Sequence, residues 1–495
     1  MELLDGNIAS VALPHIAGSL SSTLDEGTWI ITCYLIANSV ILPLSGWFCD
    51  TFGRKRFYVG CVLIFTLTSL FCGLAPNLPS LILFRILQGL GGGGLQPTAQ
   101  AIRADTFPPE KRSMAFAIYG MAVVVAPAIS PVLGGWITDN STWRWVFLIN
   151  VPLGVLSLPL ISRFIKDPPT ASSKEWASRM RVDWLGMGLL AWGLGALEFV
   201  MDRGQEDDWF GSRQIACMSV TSALCLLSVI IREPRIKNPI IDLRLFRFRN
   251  FALANILMFF LGFVLYGSIV LAPQFLQVMM NYSATQAGMV MSMGSLLYVL
   301  MMPLVGKMIP RVGARALIIF GFTTAGISLI WTSRLNLQTD FWTVSSTRTL
   351  CMIGMACLFT PLSIVCYSTI PPGKNNAASS LYNMIRNLGQ SIGISSLSTA
   401  LARRSQLHQA RLTEHITMGN LLYQMRQSQI SQYLQLHADG MGTPAARTTA
   451  LLYRSVVRQA NAMAYLDVFW LLGAISLTMP ILALFVRQVT IRSKA

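Results

Sequence analysis

Apolar residues along this chain gather in long runs separated by short polar loops, with no period-2 alternation of the kind a half-buried strand shows. Runs of about 20 apolar residues fit helices that cross a hydrocarbon layer roughly 30 Å thick. Fourteen such spans are found, at 3–20, 27–47, 57–75, 80–102, 114–138, 145–163, 184–202, 214–231, 251–275, 285–306, 316–333, 343–368, 377–401 and 463–486. The expected fold is an all-α integral membrane protein with 14 transmembrane helices. Span 1 is abbreviated: Glu2 and Asp5 are polar, and Leu3 to Leu20 covers only about 27 Å, which predicts either a start codon upstream or a short first helix. The longest polar interval, 402–462, carries Leu421, Leu422, Met425, Ile430 and Leu434 at loose helical spacing. Thr443 and Pro444 follow the Gly440-Met441-Gly442 break as a helix N-cap and first-turn residue, so a helical hairpin outside the membrane is expected.

Composition agrees with the pattern and narrows the function. Of 495 residues, 53% are hydrophobic and 12% charged, and the mean hydropathy is +0.54. Fourteen spans leave no room for a large soluble catalytic domain. The net charge of +16 could suggest a nucleic-acid partner, but its distribution does not. Twenty-four of the 38 Lys and Arg fall in one alternating set of loops and tails, from Arg54-Lys55-Arg56 to Lys494. The short loops of the opposite set hold only Arg144, Arg203, Arg213 and Arg334. The basic set is expected to be cytoplasmic, with both termini inside and the chain in the inner (plasma) membrane. The nine cysteines and four histidines show no metal-ligand spacing, and neither a cofactor nor a metal is expected. Gly91 to Gly94 lacks the Gly-Lys-Ser/Thr of a phosphate loop and lies inside a span, where close helix packing is the expected role. With no nucleotide cassette, transport would draw on an ion gradient.

The chain repeats itself. Gly46 and Gly53, flanking the turn between spans 2 and 3, recur as Gly306 and Gly313 between spans 10 and 11, an offset of 260. Arg85 and Gly91 in span 4 recur as Arg348 and Gly354 in span 12, an offset of 263. Spans 1–6 therefore match spans 9–14, and spans 7 and 8 are an insertion. Three units follow: a six-helix half over 1–163, a two-helix insertion with its cytoplasmic linker over 164–231, and a second six-helix half over 232–495 that includes the 402–462 hairpin.

Several motifs carry a family resemblance over nearly the whole chain. They are Leu4-Asp5-Gly6-Asn7 through Pro14, Gly46 to Arg56, Arg85 to Gly94, Ala126-Pro127 with Pro131 and Gly134-Gly135, Trp143 to Pro152, and Leu381 to Gly393 with Arg386 and Ser391. In this order and at these depths they resemble the major facilitator superfamily, specifically the fourteen-helix drug/proton antiporters of the EmrB type. The departures are the short span 1 and Ala126 where the antiporter motif usually carries glycine. The resemblance implies two six-helix halves plus two inserted helices and proton-coupled efflux of lipophilic compounds. It also implies a periplasmic adaptor and an outer-membrane channel as partners, with the 402–462 hairpin as a docking element. It assigns Arg85 to proton transfer, and the kink of Pro127, Pro131, Gly134 and Gly135 to sealing the cavity against proton leak. A non-transporting receptor or scaffold of the same fold, and a carrier of one specific metabolite, are the competing readings.

The residues themselves support a set of candidate roles. A charge at mid-membrane costs roughly 2.5–3.5 kcal/mol, so Asp5, Arg85, Arg386 and Asp467 each need a reason to be there. Asp5, Arg85 and Asp467 are candidates for proton coupling; a structural polar contact, snorkelling to the surface and interfacial hydration are the respective plainer roles. Depth argues against direct contact of Asp5 with Arg85, since they lie about 22 Å and 9 Å from the outer ends of their spans. Arg386 and Asn7 are cavity candidates, Arg386 with helix packing as its alternative. Met258 and Phe263 in the Met- and Phe-rich spans 9 and 10 could line an adaptable pocket or pack in the core. Glu198 and Asp202, at the outer end of span 7, read as interfacial. Gly46, Asp50, Gly53 and Arg54 form a candidate conformational lock, because a carboxylate facing a helix N-terminus and basic neighbours can hold two helices in one state.

Overall fold

The computed structural model describes residues 1–165, 183–236, 239–371, 373–414, 416, 420–437 and 444–488. The described residues contain no strand. The first half runs α1 (Glu2–Ser19), α2 (Leu24–Phe52), α3 (Arg54–Leu74), α4 (Leu78–Gly92), α5 (Leu95–Thr106), α6 (Pro109–Asn140), α7 (Trp145–Leu148) and α8 (Asn150–Phe164). Two further helices, α9 (Trp184–Arg203) and α10 (Arg213–Arg232), precede α11 (Arg249–Gln274), α12 (Ala284–Val312), α13 (Ala314–Thr332), α14 (Phe341–Tyr367), α15 (Asn375–Glu414), α16 (Leu421–His437) and α17 (Pro444–Ala483). Every apolar run is helical, spans 4 and 6 as two pieces each. Eleven of the described helical segments are long and apolar enough to cross a membrane unaided. The other three spans are α1, whose apolar part is only Ile8–Ser19, α6, and the polar-faced α15.

Leu156, Leu160, Leu224, Ile230, Leu296, Leu300 and Ile481 are all more than half exposed. A helix surface of this kind is stable against hydrocarbon rather than water. Inside the bundle, polar side chains and glycines take over. α4 and α5 meet at Gly93-Gly94, where a Cβ on Gly93 would lie 2.5 Å from the Asn38 carbonyl oxygen, so the glycine run brings α4 against α2 backbone to backbone.

The internal repeat has a physical basis in its glycines. Gly53 turns α2 into α3 with φ 86° and ψ 139°, and Gly313 turns α12 into α13 with φ 88° and ψ 147°, a backbone region that only glycine enters cheaply. One turn-pair upstream, Gly46 on α2 touches Ala377 on α15, and Gly306 on α12 touches Ala117 on α6. Each half thus lays the end of its second helix on the start of the other half's fifth.

α9 lies in the groove between α2 and α15. Its Phe199 stacks on Trp29 at 5.8 Å, and its Glu198 accepts from the Ser391 hydroxyl at 2.7 Å. At the other end of the α9–α10 pair, Arg232 donates to both carboxylate oxygens of Asp183, one contact at 2.8 Å. That guanidinium holds the Asp183 carboxyl below its usual range.

The 402–462 region differs in form from a separate hairpin. α15 continues unbroken to Glu414 and α17 begins at Pro444, so spans 13 and 14 themselves project beyond the apolar layer, with α16 beside α17. Gly440, Met441, Gly442 and Thr443 lie outside the described residues.

Candidate functional site

Three polar clusters stand out, the first inside the first half and the other two between the halves. The first centres on Asp5, which is fully buried. Arg85 donates to its Oδ2 at 2.6 Å, Asn150 to its Oδ1 at 2.7 Å and Gln88 to the same oxygen at 3.2 Å. Gln88 also accepts from Arg85 at 2.7 Å and donates to Ser69 at 2.7 Å. The Tyr34 ring covers the guanidinium at 4.0 Å and Phe147 approaches it at 5.5 Å. The expected separation of Asp5 and Arg85 is therefore wrong: they form a direct ion pair. Depth measured between Cα atoms of upright helices ignores the long arginine stem and helix tilt, and Gln88, one turn along α4, bonds both partners of the pair.

The second cluster lines a cavity of about 180 Å³ between the halves. Asn38 donates to Glu2 Oε1 at 3.1 Å, and Glu2 Oε2 has no partner. Gln96 accepts from Arg386 Nη2 and lines the cavity with Glu2. Arg386 is buried, and its Nε and Nη1 are unpartnered. Tyr266, Glu198, Asp202 and Gln205 complete the wall. Glu198 and Asp202 are thus cavity groups rather than interfacial ones, because α9 is wedged between α2 and α15; Thr32 donates to Asp202. Since Asp202, Gln205 and Ser398 lie beyond the middle of their helices toward the less basic face, the cavity opens that way.

The third cluster closes the basic face. Arg54 is buried and donates to Asn376 Oδ1 from Nε at 2.9 Å and from Nη2 at 2.7 Å, and to Asp105 Oδ2 at 2.5 Å. Asn376 donates to Asp50 Oδ1 at 2.7 Å, and Asn375 to Asp105. Above them Ser380 donates to the Leu42 carbonyl at 3.0 Å, and Asn383 to Gln100 at 2.6 Å. Asp50 and Arg54 of one half are therefore joined to the N-terminus of α15 in the other, and Gly46 leaves no space between them: a Cβ there would lie 3.1 Å from Ala377 Cα.

The remaining candidates fall elsewhere. Asp467 on α17 bonds His408 at 2.8 Å and lies 3.7 Å from Arg404, on the projecting part of the bundle and outside the cavity. Met258 and Phe263 are buried in the main hydrophobic core. The tight approach of α11 to α15, where a Cβ on Gly393 would lie 2.9 Å from Phe263 Cα, turns that stripe inward, and Tyr266 is the residue of α11 that reaches the cavity. α6 stays helical through both antiporter prolines. Gly134 packs on Ile8 of α1, with its would-be Cβ 2.9 Å away, while Gly135 faces open space. The side chains of Asn7, Pro127 and Pro131 lie outside the described residues. Gln88, Asn150, Glu2, Gln96, Asp105 and Asn376 were given no role from sequence; Gln88 and Asn150 fall inside quoted motifs, and the others signal only as a polar side chain inside an apolar run or beside its end.

The sequence profile of the Major Facilitator Superfamily matches residues 1–394. The multidrug export protein EmrB of Haemophilus influenzae is 36% identical over 473 residues, covering 95% of this chain and 90% of that one. Its namesake in Escherichia coli (strain K12) is 34% identical, covering 97% and 91%. The fatty acid resistance protein FarB of Neisseria gonorrhoeae is 35% identical, covering 95% and 90%. Among solved structures, the proton:xylose symporter XylE superposes with a TM-score of 0.59 at 14% identity, covering 98% of this chain and 93% of that one, a likeness of fold alone. With the paired six-helix repeat, the glycine turns and the inter-half cavity, these matches place the chain in the major facilitator superfamily, as a multi-pass membrane transporter.

Proposed function

We propose that this transporter exports lipophilic small molecules across the inner membrane in exchange for protons. In this reading residues 1–163 and 232–495 are the two rocking halves, 164–231 is the inserted pair, and both termini are cytoplasmic. The observation that carries the reading is the arrangement of two carboxylates one turn apart on α1. Glu2 faces the cavity with one oxygen free, while Asp5 is held by Arg85, Gln88 and Asn150 in a sealed network directly behind it. Residues three apart on a helix are neighbours, so substrate arriving at Glu2 and Arg386 and a proton bound at Asp5 can influence one another. The ion lock on the basic face belongs to the state open to the other side, and its release would expose the cavity to the cytoplasm. Relatives named for export of drugs, resistance to fatty acids and resistance to colistin suggest amphiphilic, chemically varied substrates. In this reading a periplasmic adaptor and an outer-membrane channel are its partners, as the family resemblance of its motifs implies.

Everted vesicles carrying the protein, acidified inside by respiration, test this reading. Addition of a lipophilic cation is expected to release lumenal protons, read as dequenching of a pH-sensitive dye. Asp5→Asn should abolish the release while the protein remains in the membrane. Unchanged release in that variant would overturn the assignment of Asp5.

A further inference from the structure

The two halves treat their equivalent arginines differently. Arg348 on α14 stands 263 residues after Arg85, and the same offset takes Asp5 to Ser268 and Gln88 to Cys351. The 260-residue offset of the glycine repeat takes Tyr34 to Gly294. The structure honours this correspondence: Arg348 Nη1 donates to the Ser268 hydroxyl at 3.1 Å, Cys351 lies beside it, and a Cβ on Gly294 would be 3.4 Å from Arg348 Cγ. Carboxylate, amide and aromatic ring around Arg85 are thus replaced by hydroxyl, thiol and nothing.

What remains is a buried cation without a counter-ion. Arg348 is 8% exposed, its Nε has no partner, and among the described residues no carboxylate pairs with it. An ionised group removed from water needs an opposite charge or it costs several kcal/mol. The space left by the missing partners is a cavity of about 30 Å³ walled by Phe275, Met291, Leu329 and Phe469 and containing no acidic residue. That is room for one or two water-sized particles, each needing roughly 10–15 Å³. Phe275 and Leu335 also line a wider cavity of about 340 Å³, whose polar residues are Asn336, Gln338 and Gln459.

We propose that this pocket binds a chloride-sized monovalent anion beside the Arg348–Ser268 pair, within reach of both side chains. The anion supplies the charge that Asp5 supplies to Arg85 and holds α11 against α14. The guanidinium and hydroxyl donate to it, and the apolar walls and small volume exclude larger hydrated anions. The site is separate from the inter-half cavity, so it is a structural or regulatory anion site of the second half rather than a substrate site.

The test uses the purified full-length protein in detergent, titrated with sodium chloride against sodium gluconate at constant ionic strength. The Tm is expected to rise saturably by a few degrees with chloride, to rise similarly with bromide, and to stay flat in gluconate. Ser268→Asp restores the carboxylate of the first half and should raise the Tm in gluconate while removing the chloride response. Arg348→Met should also remove the response, and if it fails to fold, Ser268→Asp still decides. Equal behaviour in chloride and gluconate, or a chloride response that survives Ser268→Asp, would overturn the proposal.

Discussion

Asp5 and Arg85 are both completely buried, and the energetics of such a pair are asymmetric. Removing one partner leaves an uncompensated ion at about 3–5 kcal/mol, whereas replacing both with apolar groups is often neutral. Asp5→Leu or Arg85→Met alone should therefore lower the Tm in detergent sharply, and the double variant should regain most of that loss while remaining inactive in proton release. Additive losses in the double variant would show that the pair carries no coupling energy. At this scale the sequence was legible where chemistry is rare: a charge inside an apolar run announces itself, so Asp5, Arg85 and Arg386 stood out. Gln88, Gln96 and Asn150 did not, because an uncharged amide is tolerated in many spans and its partner is set by helix rotation, which no single run encodes. Met258 and Phe263 misled for the opposite reason. Apolar side chains look alike whether they face a cavity, the core or lipid.

At the level of elements, each predicted span is helical, spans 4 and 6 as two pieces each, while the helices run past the predicted ends, as α2 does to Leu24 and Phe52. The projecting ends of α15 and α17 were harder to read, since a polar sequence gives no sign of continuing a span rather than starting a new hairpin. The glycine pairs were the more informative signal, and they locate the contact between halves. Gly46 meets Asn376, Ala377 and Ser380 within 3.2 Å of its would-be Cβ, so Gly46→Leu is expected to wedge α2 from α15. A cysteine placed at Ser380, in a background without other reactive thiols, should be protected from a membrane-impermeant reagent on the basic face of the parent and become labelled in Gly46→Leu. Continued protection would mean that the lock does not depend on this contact. Gly53→Ala acts differently. It strains a φ of 86°, a conformation costing on the order of 1–3 kcal/mol for other residues, and should destabilise the turn without opening a path between α2 and α15.

The whole molecule presents two unlike ends. The basic face is sealed by short, buried polar contacts, whereas the opposite face carries the cavity mouth and the helices that project past the apolar layer. Ser405 bonds Asn461 and His408 bonds Asp467, which ties the base of α15 to α17. Further out, Leu421, Met425 and Tyr433 on α16 and Tyr453 on α17 are more than half exposed in a segment too polar to enter lipid. Apolar side chains spread along helices and left uncovered in water suit a surface completed by another chain's helices, and the periplasmic adaptor proposed above is the occupant this argues for. Replacing residues 416–443 by a short Gly/Ser linker spares Ser405, His408, Asn461 and Asp467, so the bundle should remain folded. The truncated protein is expected to release protons on substrate addition in everted vesicles as the parent does, to lose co-purification with the adaptor, and to confer no resistance on whole cells. Loss of vesicle activity with adaptor binding intact would instead make the segment a lid over the cavity mouth.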